Sequence, residues 1–321
     1  RMWGGQNSNN IEINGPTFIV TSFQTASNML STNTNSRFEN FSNIRNNCKL
    51  LIVDEAHQST APTYKNVINL FSRHGTKVVG LTATPGRHHV GQVEDETRVL
   101  ADFYNNNKIN IVNDIGDEID NPIDFLTKKG VLAKPTKFTI NSPSEISLND
   151  KEMSQMEKYL DIPVSVLRKL GEDSIRTNLI VAQSVKLSID LDFPTIIFAP
   201  SKDSAITIAI LIKLRGVDAA AVTGDTPTYQ RRQFISDFKA GKLPILVNFG
   251  VLTTGFDAPN IKAVIIARPT TSVVLYSQMI GRGLRGRLMG GTDECYLIDV
   301  KDNIINMPDA NNAFVYFDDF Y

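Results

Sequence analysis

Seven short apolar runs limit what this chain can become: TFIV at 17–20, KLLIV at 49–53, KVVGL at 77–81, PTIIFA at 194–199, DAAAV at 218–222, PILVN at 244–248 and AVIIA at 263–267. Each stops at polar turn residues, which is how parallel strands read when both faces are buried. Helix-like segments lie between them, at 61–72 with Pro62 suited to a first helical turn, and at 202–215 and 228–240. Strands alternating with helices imply right-handed crossovers and parallel sheets. The pattern occurs twice, so the expected class is α/β with two units of similar type, each a mostly parallel sheet with helices on both faces.

A chain of 321 residues is long enough for two such units with real cores. The expected boundaries are 1–120 for the first unit, 121–171 for a linker, 172–301 for the second unit and 302–321 for an acidic, aromatic tail. The linker stretch NPIDFLTKKGVLAKPTKFTINSPSEISLND is rich in Pro, Lys, Ser and Asn and has no clean period. It reads as extended chain that adds an outer strand near 136–140, followed by two short helices, one capped near Asn149 and one opening at Pro163. Eleven of the first fifty residues are Asn, which assigns 7–14 and 28–47 to surface loops.

Composition excludes several classes. A chain that is 41% hydrophobic and 21% charged is globular rather than disordered. No apolar run approaches the roughly 20 residues that span a bilayer, so no membrane partner is expected. With a net charge of −1, any nucleic-acid contact must come from a local surface rather than a global positive field. Cys48 and Cys295 lie far apart with no partner motif, which argues against a disulfide framework or a zinc site and for a reducing, cytoplasmic compartment. The start RMWGGQNSNN has neither an initiator Met nor an apolar leader, and is expected to be an internal point of a longer protein.

The chemistry gathers where strands end. In LLIVDEAHQST four apolar residues run into Asp54 and Glu55, then His57. Ligands collect at the C-terminal edge of a parallel sheet, where one carboxylate can hold Mg²⁺ through water and another can orient or deprotonate an attacking water. An Asp-Glu pair also suits the first turn of a helix, so the pair alone leaves a plain capping role open. The run KVVGL ends in Thr82-Ala83-Thr84-Pro85, whose hydroxyls can reach the acids or His57.

Together these segments resemble the superfamily 2 helicases. IVDEAH and GLTATPGR are similar to that family's motifs II and III, and VTSFQT at 20–25 to motif Ib. TIIFAPS at 195–201, VLTTGFDAPNIKAVI at 251–265 and QMIGRGLRG at 278–286 are similar to motifs IV, V and VI. Within the superfamily, the run from RPTTSVVLYSQMIGRGLRG to the strand at 295–300 most resembles the motor subunits of type I and type III restriction enzymes and related bacterial DNA-repair helicases. RNA helicases of the DEAD-box type open motif VI with His-Arg, where this chain has Gln278-Met279.

The resemblance implies two RecA-like domains with a nucleotide cleft between them, ATP and Mg²⁺ as cofactors, and nucleic acid, most of all DNA, as partner. A nuclease or target-recognition partner accompanies some members. It implies that Asp54 holds Mg²⁺, that Glu55 is general base for the attack on the γ-phosphate, and that His57 with Thr82 and Thr84 couples nucleotide state to the second unit. Arg282 and Arg285 fall at the arginine fingers, Gln278 near the γ-phosphate, and Gly255 and Asp257 at the nucleotide. Thr21, Ser22 and Gln24 match backbone-contacting positions in the first unit, as do Ser201, Thr253 and Thr254 in the second. Hydroxyls at strand ends suit phosphate oxygens and position a strand without reading its sequence, although each Ser or Thr alone also suits a helix cap.

One part of such a motor is missing. A P-loop needs glycines that let backbone amides wrap the phosphates, then Lys and Ser or Thr. Gly241-Lys242 is followed by Leu and Pro, and His74-Gly75-Thr76-Lys77 has the wrong order. The expectation is that the phosphate cradle lies upstream of Arg1. A non-hydrolysing nucleic-acid-binding or scaffold module with a helicase-like fold is the alternative. A Mg²⁺ nuclease lacks the further carboxylate and Lys that such sites use.

Overall fold

The computed structural model describes residues 15–31, 36–72, 75–82, 93–112, 116–119, 121–159, 161–252 and 258–305. Its internal packing divides the chain into two units, Arg1–Arg87 with Gln92–Ile109, and His88–Gly91 with Asn110–Tyr321.

The first unit contains α1 (Phe23–Ser31), α2 (Ser36–Asn47), β1 (Leu50–Asp54), α3 (Pro62–Ser72), β2 (Lys77–Leu81) and α4 (Val93–Phe103). β1 and β2 pair in parallel, with Leu50 opposite Lys77 and Asp54 opposite Leu81. Val53, Ala56 and Ile68 form one apolar cluster, and Ala26, Ile44, Val67 and Phe71 another, so α1 and α3 cover a single face of the pair. The other face carries Leu50 and Leu81, 52% and 51% exposed, together with Ile52 and Val79. This corrects the expectation of strands buried on both faces: among the described residues, nothing covers that side. The run at 17–20 is a second correction, because it lies in no named strand. An apolar run becomes a strand only where a neighbour supplies the hydrogen-bond ladder. A third concerns the Asn-rich stretch at 28–47, most of which is helical rather than loop. Asn is a poor helix former, but burying Ile44 against the α3 residues Val67 and Phe71 outweighs that preference.

The second unit contains α5 (Pro122–Lys128), β3 (Lys134–Ser147), α6 (Asp150–Tyr159), α7 (Val164–Glu172), α8 (Ser174–Leu191), β4 (Thr195–Phe198), α9 (Lys202–Leu214), β5 (Ala219–Val222), α10 (Thr228–Lys239), β6 (Ile245–Asn248), β7 (Ala263–Ile266), α11 (Val273–Ile280) and β8 (Glu294–Ile305). Its sheet runs β3-β8-β7-β4-β6-β5, and every pairing is parallel. The central strands are buried on both faces, as the apolar runs imply. Period-2 alternation sends Ile196, Phe198, Leu246 and Val264 to one face, with Phe238 of α10 and Met279 of α11. Ile197, Val247 and Ile265 go to the other face, with Ile180 of α8 and Ile208 of α9.

The stretch 121–171 is built into this second unit rather than free of it. β3 spans Lys134–Ser147, longer than the outer strand expected at 136–140, and pairs with β8 through an irregularity between Asn141 and Glu145. β8 in turn continues to Ile305, so residues 302–305 are strand rather than tail. Asn149 and Glu152 form a reciprocal capping box at the start of α6, the Asn149 amide donating to Glu152 Oε2 over 3.1 Å and the Glu152 amide to Asn149 Oδ1 over 2.9 Å. Pro163 precedes α7 as its N-cap residue. No helix among the described residues is long and apolar enough to cross a membrane.

Candidate functional site

In the first unit the chain turns sharply as β1 ends. Asp54 Oδ1 accepts the Glu55 amide over 3.0 Å, and Glu55 itself sits in the left-handed region at φ 52°, ψ 47°. Such a backbone on a residue with a Cβ costs about 1–3 kcal/mol and persists only where the surroundings enforce it. A short 3₁₀ turn, Ala56–Gln58, follows, and the Glu55 side chain does not cap it. The capping alternative for Glu55 therefore fails, and its carboxylate is left for other contacts. Oε2 lies 3.4 Å from Nδ1 of His57, and the same nitrogen lies 3.2 Å from Thr82 Oγ1. A carboxylate only accepts, so contact with Glu55 favours the tautomer protonated at Nδ1. The imidazole is buried. Register explains the meeting: Asp54 lies opposite Leu81, the last residue of β2, and Thr82 follows it directly.

Two residues that sequence reasoning passed over hold this turn. Ser59 Oγ and Tyr104 Oη are 2.8 Å apart, and burial raises the Tyr104 pKa while the Ser59 bond opposes the shift. A Cβ at Gly80 would come within 2.6 Å of the Tyr104 ring and 2.8 Å of Ala56 Cβ, so only glycine lets β2, the turn and Tyr104 approach. Thr84 lies outside the described residues.

Whether Mg²⁺ suits these acids can be judged from their number. Among the described residues no three His, Cys, Asp or Glu side chains converge. Mg²⁺ typically takes one or two carboxylates and keeps waters and substrate phosphates for the rest, so an exposed Asp54 at a strand end fits that mode.

The expected backbone-contacting residues of the first unit cluster at the start of α1. Ser22 Oγ accepts the Thr25 amide over 3.1 Å and pairs with Thr25 Oγ1 at 2.8 Å; Gln24 Nε2 donates to Asn28 Oδ1 over 3.3 Å. Thr21 Oγ1 makes a long contact of 3.4 Å with the Ser22 carbonyl. In the second unit Ser201 caps α9 by accepting the Ser204 amide over 3.1 Å. Both serine hydroxyls thus serve as caps. Thr253, Thr254, Gly255 and Asp257 lie outside the described residues.

Asn248, a polar residue closing the apolar run of β6, was passed over although its position offered a signal. Its buried Oδ1 accepts the amides of Val251 and Leu252 over 3.3 and 3.0 Å and so fixes the turn that leaves β6. Gln278 lies on α11, which Ser272 caps by accepting the Leu275 amide over 3.2 Å. Tyr276 on the same helix donates to Asp299 Oδ2 over 2.9 Å in the core, tying α11 to β8. Arg282 and Arg285 follow, both half-buried, and Arg282 Nε donates back to the Gln278 carbonyl over 3.1 Å. The side chain that any residue but glycine would carry at 283 would overlap Cys295 Sγ and Val264, so the turn between the arginines can lie directly on β7 and β8.

Comparison with known proteins bears on the family and the fold. The family described as type III restriction enzyme, res subunit, matches residues 2–87, and the helicase conserved C-terminal domain matches residues 178–287. A candidate ATP-dependent helicase of Saccharomyces cerevisiae, Irc3, is 31% identical over 264 residues, covering 79% of this chain and 34% of the relative. Its mitochondrial counterpart in Schizosaccharomyces pombe is 29% identical over 275 residues, covering 80% and 39%. This chain therefore spans between a third and two-fifths of the length of these relatives. Among solved structures, a fragment of a candidate HsdR subunit of a type I restriction enzyme from Vibrio vulnificus shares the fold at a TM-score of 0.54 and 20% identity, over 85% of this chain and 45% of that one. The helicase Lhr of Mycobacterium smegmatis does so at 0.52 and 19%, over 86% and 31%. With helicase-family matches in both units, in chain order, and a RecA-like fold, the chain belongs to the superfamily 2 helicases and is similar to the motor subunits of restriction enzymes.

Proposed function

We infer that this chain supplies the acids, coupling residues and arginines of an ATP-dependent DNA helicase or translocase that hydrolyses Mg-ATP. In this reading Asp54 holds Mg²⁺ through water, and Glu55 takes the proton of the water that attacks the γ-phosphate. Bound Mg²⁺ supplies charge neutralisation at the phosphates. His57, with Thr82 and Thr84, registers the nucleotide state. Gly255 and Asp257 face the nucleotide, Gln278 lies near the γ-phosphate, and Arg282 and Arg285 meet the charge that develops on it. Thr21, Ser22, Gln24, Ser201, Thr253 and Thr254 hold the phosphate backbone, with amides at the capped helix ends doing what the serine hydroxyls cannot. No Gly-Lys-Ser or Gly-Lys-Thr occurs in these 321 residues, so the phosphate cradle is assigned to residues outside this sequence. DNA is preferred to RNA because of the similarity to restriction motor subunits, and two free cysteines suit a reducing cytoplasmic setting.

The observation that carries the reading is Glu55, held in a strained left-handed turn with its carboxylate beside a buried His57 that also reaches Thr82. Strain on an ionisable residue at a strand end marks a function more readily than a stabilising role. In the complete protein, Glu55→Gln should lower ATP turnover by about 10²–10⁴-fold, the usual contribution of a general base, and leave ATP binding intact. Turnover within a few-fold of wild type would refute the base assignment. Measuring stimulation by duplex DNA, single-stranded DNA and RNA would identify the polymer, and stimulation by RNA alone would overturn the DNA reading.

A further inference from the structure

The loop that carries Arg282 and Arg285 is not held by α11 alone. A second strand of chain, Gly130–Ala133, runs antiparallel to it, with Leu132 bridged to Arg285. The Ala133 amide donates to the Leu284 carbonyl over 3.1 Å, the Gly286 amide to the Val131 carbonyl over 2.9 Å, and the Leu288 amide to the Gly130 carbonyl over 2.9 Å. From the other side, the Thr292 amide donates to the Arg285 carbonyl over 2.9 Å. Leu284 is buried in the core with Ala133. Alternation along the ribbon then turns Arg285 away from that core.

Gly130 is also the residue that ends α5. The Gly130 amide donates to Thr127 O and the Val131 amide to Leu126 O, each over 2.9 Å, and Gly130 has φ 72°, which makes a Schellman motif. The short ribbon is thus anchored to α5, and α5 is the first named element after Ile109, where the chain leaves the first unit. Packing is close: a Cβ on Gly286 would overlap the Gly130 carbonyl and lie 2.7 Å from Val131 C.

We propose that Gly130–Ala133 is a positioning element that sets the reach of Arg282 and Arg285 and ties it to the connection between the two units. This rests on the reading of those arginines as the groups that meet phosphoryl charge. A loop with three glycines among six residues, Gly281 to Gly286, has much backbone freedom to lose, and an arginine contributes to a transition state only when held in place. The ribbon supplies that order through main-chain bonds on both sides of Arg285.

The test uses Gly286→Ala, Gly130→Val and Gly130→Asn, because Asn tolerates the left-handed region and Val does not. In the 321-residue chain, amide hydrogen exchange at Gly286 and Leu288 should quicken by about tenfold or more in Gly286→Ala and Gly130→Val, and less in Gly130→Asn. In the complete protein the first two should lose about 10²-fold in kcat with KM for ATP nearly unchanged, and Gly130→Asn should recover most of it. Arg285→Ala and Arg282→Ala are the controls. If the glycine variants fold and keep wild-type kcat while the arginine variants lose it, the positioning role is overturned and the arginine reading survives. If the arginine variants also keep kcat, the reading itself falls and the positioning role with it. A parallel loss of kcat and rise in KM, or no recovery by Gly130→Asn, would mean a merely structural role. Should Gly286→Ala not fold, the Gly130 pair decides alone.

Discussion

Replacing Arg176 by Met should destabilise the second unit by about 3–5 kcal/mol, the cost of leaving half of a buried ion pair behind. The side chains of Arg176 on α8 and Asp302 on β8 are only 1% and 3% exposed. Arg176 Nε donates to Asp302 Oδ1 over 2.6 Å; its Nη2 donates to Asp302 Oδ2 over 2.9 Å and to the Ala267 carbonyl over 2.5 Å, just past the end of β7. Methionine fills comparable volume but makes none of these bonds, so the loss is electrostatic rather than a cavity. Burial already raises the Asp302 pKa, with Arg176 opposing the shift. Without Arg176 the folded-state pKa rises further above the unfolded value. The folded state then binds more protons than the unfolded one, so its stability falls as pH rises. The Arg176→Met deficit should therefore be larger at pH 8 than at pH 5.

For a unit of this size, 3–5 kcal/mol corresponds to a fall in Tm of roughly 6–20 °C. Urea denaturation at both pH values gives the free energies directly. Arg176→Met/Asp302→Leu, which removes both charges, should regain most of the loss. A single-mutant loss below about 1 kcal/mol, or one equal at the two pH values, would refute the argument that a dehydrated Asp302 charge dominates.

Two further outcomes follow from local geometry. Glu55→Gly should raise the stability of the first unit by about 1 kcal/mol, because glycine adopts the left-handed region without strain; a urea midpoint that falls instead would mean that the contact with His57 outweighs that strain. Glu152 is buried, and although burial opposes its ionisation, the bonds from Lys169, the Asn149 amide and Ser165 outweigh it and leave the pKa below the ordinary glutamate value. Its stabilisation is therefore complete above the unfolded pKa and is lost as pH falls through the depressed folded value. Lys169→Met should move that loss to higher pH, and unchanged acid limbs in the two stability profiles would refute the assignment.

What the sequence by itself determined was local. Uniform apolar runs bounded by turn residues located β1, β2, β4, β5, β6 and β7 to within a residue or so; for β4, β6 and β7 the reason is that a strand buried on both faces is apolar whatever its partners. Asn149 announced α6 because capping is settled within three residues. The motif order carried the family, and Asp54, Glu55, His57 and Thr82 were legible as a group.

Tertiary structure decided whatever depends on residues far apart in the chain. TFIV at 17–20 has strand composition but no strand role among the described residues, and Leu50 and Leu81 are apolar yet exposed, since period alone does not say which faces are covered. The link from Glu55 through His57 to Thr82, 25 residues on from the histidine, follows from the β1–β2 register. The Pro- and Lys-rich stretch that reads as linker became the edge strand β3 because β8 offered it a ladder from Glu294 to Ile305. The ribbon at Gly130–Ala133 is of the same kind. Its residues show no pattern of their own: α5 takes the amides of Gly130, Val131 and Leu132, and the arginine loop opposite takes the Ala133 amide and the Gly130 and Val131 carbonyls.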